Sequence, residues 1–190
     1  RALESFEFYQ TWDSGYSKQQ STRPQTIGYG LVDSPMGQAM WIMEKFWAWT
    51  DCKGHPENAL SRDEMLDNIM VYWLTASGAS SARIYWESFN NPSSDPINVA
   101  TGISVFPHDI FQTSERWARK RFTDLVYFNE LDEGGHFAAF EQPETFVNEV
   151  RSCFQCIRQF NSAIAAPLAA FQAASNRARA QRSRRQQPAS

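Results

Sequence analysis

Long apolar segments are absent from this 190-residue sequence, since no uninterrupted run approaches the roughly 18 residues that a membrane-spanning helix needs. Cysteine is also scarce. The three thiols cannot all pair and their spacing shows no disulfide framework, which favours a reducing compartment. Glycine and proline number only 9 each, which excludes a collagen-like chain, and 42% hydrophobic residues exclude a fully disordered one. A folded globular protein remains.

The two ends of the sequence differ from its body. It begins Arg1-Ala2-Leu3-Glu4 without an initiator methionine or a signal segment, so we expect it to start inside a longer protein. Residues 159–190 are rich in alanine, glutamine and arginine, with five arginines between Arg177 and Arg185, and are expected to be disordered or partly helical. A short basic segment is weak evidence for nucleic-acid binding, so no nucleic-acid partner is predicted.

Helical signals dominate residues 1–97. Apolar residues recur at helical spacing over residues 36–49, where Pro35 is placed to open a helix. Ser61 followed by Glu64 predicts a second helix that begins with a capping box, and residues 80–88 predict a third. Residues 13–16 and 34–35 are turn-rich, and the asparagine and proline cluster at 90–96 predicts a domain boundary.

Beyond that cluster the pattern changes to alternating strands and helices. Residues 98–106 and 124–129 predict β-strands, and residues 114–121 and 143–160 predict helices, the second of which is expected to bury Phe146, Val147, Val150, Phe154 and Ile157. This alternation favours an α/β fold with a parallel sheet. Such a sheet normally has about four to six strands, so we expect the sheet in this chain to be incomplete.

Two side chains follow the predicted strands at the edge where reactive residues of α/β proteins collect. Asp109 comes soon after the first strand, and His136 follows the second strand through Gly134-Gly135. Adjacent parallel strands would bring both loops to one edge, within reach of a hydrogen bond between an acid and a base. Asp109 could equally cap a helix and His136 could be structural, so the pair alone leaves both interpretations open.

Four segments resemble one family of enzymes. Gly134-Gly135-His136, with residues 137–144 (FAAFEQPE), is similar to the histidine loop of the α/β-hydrolase-fold epoxide hydrolases, in the branch that includes microsomal epoxide hydrolase. The other three segments are residues 21–26 (STRPQT) with 28–31 (GYGL), residues 33–35 (DSP) leading into 41–46 (WIMEKF), and residues 72–75 (YWLT) leading to Tyr85. The similarity extends in order over residues 5–157 and leaves out the tail.

The resemblance implies a division of the chain and a set of roles. Residues 1–97 would form the helical lid, 98–158 the C-terminal part of the α/β-hydrolase core with its last two parallel strands, and 159–190 the tail. In the family an aspartate attacks the epoxide to form an alkyl-enzyme ester, two lid tyrosines donate hydrogen bonds to the epoxide oxygen, and a histidine activates the water that hydrolyses the ester. Tyr16 and Tyr85 match the tyrosines, His136 matches the base, and Asp109 matches its acid partner.

The family's nucleophile and oxyanion loop have no match in this sequence. Neither a glycine-flanked aspartate elbow beside tryptophan nor a His-Gly-x-Pro loop occurs, so the nucleophilic aspartate is expected upstream, in a missing N-terminal half. The chain alone is therefore expected to be inactive. The implied substrate is a small epoxide that reacts with water to give a vicinal diol, without metal or cofactor. The expected location is the cytoplasm or the endoplasmic-reticulum membrane. A homo-oligomer is possible, and the sequence does not decide the oligomeric state.

Other interpretations fit parts of the same sequence. Another α/β hydrolase, such as a dehalogenase or an esterase, would share the histidine and acid, and a truncated hydrolase half could serve as a non-catalytic binding module. A zinc site would need the Cys52 and His55 pair to meet the Cys153 and Cys156 pair, about a hundred residues away, and ordinary thiols are favoured instead.

Overall fold

Helices follow one another through the first part of the chain. The computed structural model describes residues 2–89 and 93–185. The helices there are α1 (Ala2–Phe8), a π-helical turn (Tyr9–Asp13), α2 (Gly15–Thr22), α3 (Pro24–Asp33), α4 (Pro35–Trp49), a 3-10 turn (Pro56–Asn58), α5 (Arg62–Leu74) and α6 (Gly78–Ser88). Helix α6 packs against both α3 and α2, and α2 and α3 also contact each other.

Local capping explains where two of the lid helices begin. Pro35 is the first residue of α4, and the Ser34 hydroxyl accepts a hydrogen bond from the Gly37 N–H at 3.0 Å. At the start of α5, Ser61 and Glu64 make both reciprocal hydrogen bonds of a capping box. The helices predicted over residues 36–49 and after Ser61 are thus confirmed. Residues 13–16 lie at the junction of two helices, with Gly15 and Tyr16 already in α2.

A parallel pair of strands follows the lid helices. Strand β1 (Thr101–Val105) pairs with β2 (Leu125–Glu130), so that Gly102 lies opposite Tyr127 and Val105 opposite Glu130. Helix α7 (Glu115–Arg121) lies between them in sequence, and α8 (Ala138–Glu141) and α9 (Pro143–Arg185) follow. The predicted parallel pairing and its flanking helices are confirmed.

The carboxylate of Glu149 joins α9 to both strands. It accepts hydrogen bonds from the Ser104 hydroxyl at 2.7 Å, from the Tyr127 hydroxyl at 3.0 Å and from the Asn129 amide at 3.0 Å. Nearby, α9 approaches the sheet so closely that a β-carbon at Gly102 would collide with the sulfur of Cys153. These contacts fix the strands whose loops carry Asp109 and His136.

Replacing Glu149 with leucine is expected to lower the free energy of unfolding of the whole protein by about 1–3 kcal/mol, because three donors lose a charged acceptor. Chemical denaturation measures this change. Arg151→Leu on an exposed position of the same helix is the matched control and should change stability much less. An equal loss in both variants would show that the Glu149 hydrogen bonds contribute no specific stability.

The burial predicted for α9 is wrong for most of its apolar face. Phe146, Val147, Val150 and Phe154 are exposed in this chain, with 55% of Phe154 accessible, and only Ile157 is partly buried. The reason is that the described residues offer this helix a sheet of two strands, which covers only part of its apolar side. An amphipathic pattern predicts that a helix has an apolar face, but burial of that face also needs a second surface that packs against it.

The end of α9 passes the predicted limit at residue 160. The helix continues to Arg185, so the described part of the tail is helical, while residues 186–190 lie outside the described residues. Residues 90–92 of the predicted domain boundary also lie outside them, and the division at 97 and 98 stays a prediction. Within the described ranges, no helix combines the length and the apolar character needed to cross a bilayer.

Candidate active site

The structure brings Asp109 and His136 together at the end of the two strands. His136 Nδ1 lies 2.9 Å from Asp109 Oδ1, and both side chains are about one-third exposed. The loops that carry them are joined directly, since the His108 N–H donates to the Gly134 carbonyl at 3.1 Å. A histidine that donates from Nδ1 to a carboxylate keeps Nε2 as its basic nitrogen, which suits it to accept a proton from water.

Both glycines before His136 are required by their surroundings. Gly134 has a φ of 100°, and a β-carbon there would lie 2.8 Å from the Phe106 ring. A β-carbon on Gly135 would collide with the carbonyl oxygen of Trp49. This close approach allows the His136 N–H to donate to the same Trp49 carbonyl at 2.8 Å. The diglycine therefore lets the histidine loop lie directly against the C-terminal end of α4.

The two candidate tyrosines face each other across the lid. Tyr16 on α2 and Tyr85 on α6 have ring centroids 5.7 Å apart, in an edge-to-face arrangement. Burial is the main cause that raises the pKa of both hydroxyls, so each stays a protonated phenol at a pH where an exposed tyrosine begins to ionise. A protonated phenol is a hydrogen-bond donor, and two such donors can stabilise an oxygen that becomes negative.

A cavity of about 910 Å³ unites the tyrosines and the histidine, because Tyr16, Tyr85 and His136 all line it. Its remaining wall is mainly apolar and aromatic, with Trp41, Phe46, Trp49, Phe137 and Phe140 among its residues. A second cavity of about 810 Å³ is lined by the same three side chains and lies on the side of Tyr9 and Phe111. The mainly apolar wall of the first cavity suits an apolar ligand with a few polar groups to orient it.

Trp49 and Lys45 also belong to this site, although neither was predicted to take part in catalysis. The Trp49 ring packs edge-on against both His136, at 5.2 Å between centroids, and Tyr16, at 5.1 Å. The Lys45 ammonium lies 4.8 Å from the centre of the Tyr16 ring and 4.9 Å from that of Trp49. The apolar spacing that predicted α4 included neither residue, and the contact of Trp49 with His136 depends on α4 meeting the histidine loop.

Tyr9 is a third tyrosine at the site. It is buried, and its hydroxyl lies 3.2 Å from that of Tyr16. Its ring packs against Phe111 at 4.7 Å between centroids. Tyr9 is the first residue of the π-helical turn, and no motif in the sequence predicted a role for it.

The cysteines do not gather into a metal centre in the part of the chain that the structure describes, where no three or more histidine, cysteine or acidic side chains are placed to hold an ion. Cys52 is buried and its thiol donates to the Trp47 carbonyl at 3.3 Å. Cys153 packs against the sheet at Gly102. These thiols therefore fill structural positions in the lid and beneath the strands.

Comparison with known proteins gives consistent results. No protein-family model matches the chain. It is 36% identical to epoxide hydrolase 1 of Sus scrofa over 159 residues, covering 77% of this chain and 35% of that protein. It is 56% identical over 159 residues to a Stigmatella aurantiaca protein provisionally named an epoxide hydrolase, covering 83% of this chain and 36% of that one.

Solved structures agree with the sequence relatives. The juvenile hormone epoxide hydrolase of Bombyx mori superposes with a TM-score of 0.75 at 32% identity, covering 84% of this chain and 40% of that one. An enantioselective mutant of the Aspergillus niger epoxide hydrolase gives 0.72 at 31% identity, covering 82% and 40%. The chain spans about a third of the length of the curated relatives it matches.

The helical lid above a parallel pair of strands, with an acid and a histidine at the strand ends, defines the C-terminal part of an α/β-hydrolase fold. Its relatives identify the group within that fold. The chain is homologous to the C-terminal part of the epoxide hydrolases, as the four segments predicted.

Proposed function

We propose that the whole protein containing this chain adds water to an apolar epoxide and releases a vicinal diol. The observation that carries the proposal is the contact between Asp109 and His136 at a cavity that Tyr16 and Tyr85 also line. A histidine held by an acid supports an ester-hydrolysing enzyme in general. The two facing phenols favour an epoxide, since its oxygen becomes an alkoxide during ring opening.

In the first half-reaction, a carboxylate attacks one epoxide carbon and the carbon–oxygen bond breaks. Tyr16 and Tyr85 stabilise the departing oxygen, and one of them transfers its proton to give the first hydroxyl of the diol. In the second, His136 removes a proton from a water molecule, which attacks the ester carbonyl. Asp109 orients the imidazole and stabilises its positive charge. The bond between the acyl carbon and the ester oxygen then breaks, and the diol leaves with that carboxylate oxygen as its second hydroxyl, protonated by His136. The other proton of the water restores the tyrosine hydroxyl through solvent.

The attacking carboxylate is expected outside this sequence. Asp33 ends α3, and Asp13 ends the π-helical turn, where it accepts a hydrogen bond from the Trp49 indole N–H at 3.3 Å. Asp51 accepts from the Gly134 N–H at 3.2 Å. None of these three lies on a strand-to-helix elbow, so the proposal assigns the nucleophile to the upstream part of the longer protein.

A single-turnover experiment in ¹⁸O-labelled water tests the proposal. The full-length protein, in excess over styrene oxide, is expected to give a first-turnover diol without ¹⁸O, because the added oxygen comes from the enzyme carboxylate. Label should enter the diol only in later turnovers, once hydrolysis has placed ¹⁸O in that carboxylate. Label in the first diol would contradict the ester route, and failure to form diol from styrene oxide or from longer apolar epoxides would contradict the function.

A further inference from the structure

The carboxylate of Glu141 lies behind the histidine loop and binds it at three points. Its Oε2 accepts hydrogen bonds from the Asp51 N–H at 2.7 Å and from the Gly135 N–H at 3.1 Å, and its Oε1 accepts from the Phe137 N–H at 3.1 Å. Gly135 and Phe137 are the immediate neighbours of His136. The backbone N–H groups of the residues on both sides of the candidate base are therefore bound by one side chain.

We propose that Glu141 is a positioning residue that fixes His136 against the end of α4 and thereby sets the rate of ester hydrolysis. The inference rests on the function proposed above and assigns one half-reaction to a residue that does not touch the substrate. Glu141 and Asp51 are named the carboxylate clamp. Each of the two side chains binds backbone of the histidine loop, and Glu141 also binds the backbone of Asp51.

The clamp joins the histidine loop to the lid from both directions. The Asp51 carboxylate accepts from the Gly134 N–H at 3.2 Å, and its other oxygen lies 3.3 Å from His108 Nε2. The Trp49 carbonyl accepts from the His136 N–H. Four successive backbone N–H groups, those of residues 134–137, are thus bound, three by the clamp carboxylates and one by the carbonyl of Trp49, the last residue of α4.

The environment of the Glu141 carboxylate is consistent with a role in holding the loop. Burial raises the pKa of Glu141, and the nearby Asp51 carboxylate raises it further, while the three backbone N–H groups act in the opposite direction. A desolvated carboxylate beside a second acid is costly unless its acceptors are fully used. Here its two oxygens accept three backbone hydrogen bonds, and all three would lose their acceptor if Glu141 were removed.

Small displacements of a catalytic base have large effects on rate. A general base must lie within about 2.6–3.2 Å of the group whose proton it removes, and a misplacement of about 1 Å can cost about 100-fold. Glutamine at position 141 has the same shape but presents an amide N–H₂ to backbone N–H donors. It must lose at least one of the three hydrogen bonds, which displaces the loop while leaving the tyrosines on α2 and α6 in place.

Rapid-quench kinetics on the full-length protein test this inference, with the alkyl-enzyme ester detected by intact mass. In Glu141→Gln, ester formation is expected to stay close to the wild-type rate, while ester hydrolysis falls about 10- to 100-fold and the ester accumulates. Glu144→Gln, three residues further on and exposed, is the matched control and should hydrolyse the ester at the wild-type rate. A wild-type hydrolysis rate in Glu141→Gln, or equal slowing of both steps, overturns the positioning role.

A second variant keeps the test decisive if Glu141→Gln fails to fold. Asp51→Asn retains the backbone N–H that binds Glu141 but weakens the acceptor of Gly134, so it should slow ester hydrolysis by a smaller factor and leave ester formation unchanged. Unchanged hydrolysis in a folded Asp51→Asn protein then overturns the inference. A wild-type protein that forms neither ester nor diol overturns the proposed function itself. If the wild type turns over normally and Glu141→Gln hydrolyses the ester at the same rate, only the positioning role is overturned.

Discussion

His136→Ala in the full-length protein is expected to stop the reaction at the ester and to lower kcat by about 10²- to 10⁴-fold, since His136 is the side chain that Asp109 holds in place to activate water. The first half-reaction does not use this base, so each active site should still consume one epoxide. Intact mass spectrometry should therefore show one substrate mass added per protein chain, with little diol released.

The matched control is His55→Ala, which replaces an exposed histidine that lines neither cavity. It should turn over like the wild type. If His136→Ala forms no ester at all while remaining folded, His136 takes part in the first step and the division of roles proposed above is wrong. If it releases diol at the wild-type rate, His136 is not the base.

Removing both phenols should act on the opposite step. The double variant Tyr16→Phe, Tyr85→Phe is expected to slow ester formation by at least about 10²- to 10³-fold, because a single lost donor to a developing oxyanion already costs that much. Each single variant should lose less, since the second hydroxyl remains. Hydrolysis of an ester that has already formed should be unchanged, and rapid-quench measurement of both steps separates the two effects.

Tyr29→Phe is the control for the tyrosine variants, because Tyr29 is 66% exposed on α3. Equal slowing of ester formation and hydrolysis in the double variant would indicate a damaged lid.

The raised pKa of Tyr16 and Tyr85 predicts how the rate of ester formation responds to pH. Their hydroxyls keep the proton above the usual tyrosine pKa of about 10, so wild-type ester formation should not decline through tyrosine ionisation as the pH rises towards that value.

Local signals made much of this fold predictable. Pro35 at the start of α4 and the capping box at Ser61 are local signals, each within a few residues, and both helices begin where these signals predict. The parallel strands followed from their alternation with helices. The contact of Asp109 with His136 followed from topology, because neighbouring parallel strands end at one edge.

Contacts between segments that are distant in sequence were harder to predict. The hydrogen bond between Glu141 and the Asp51 N–H joins residues 90 positions apart and depends on one backbone N–H, which any residue type supplies. Glu141 stands within the histidine-loop signature, yet nothing in its residue type distinguishes a carboxylate that binds backbone from one that binds water. The exposure of Phe154 on α9 has a similar origin, since periodicity describes one surface and burial needs two.

The hydrogen bonds between residues 49–51 and the histidine loop restrict how the lid can open. An opening that swings α4 away from the strands must break the bonds from His136 N–H to Trp49, from Asp51 N–H to Glu141 and from Gly134 N–H to Asp51, each worth about 0.5–1.5 kcal/mol. Separation of α2 and α6 breaks none of these three. It would instead give up the packing of α6 against α2 and α3. His136 is thus tied to the movement of α4 and not to that of the helices that carry the tyrosines.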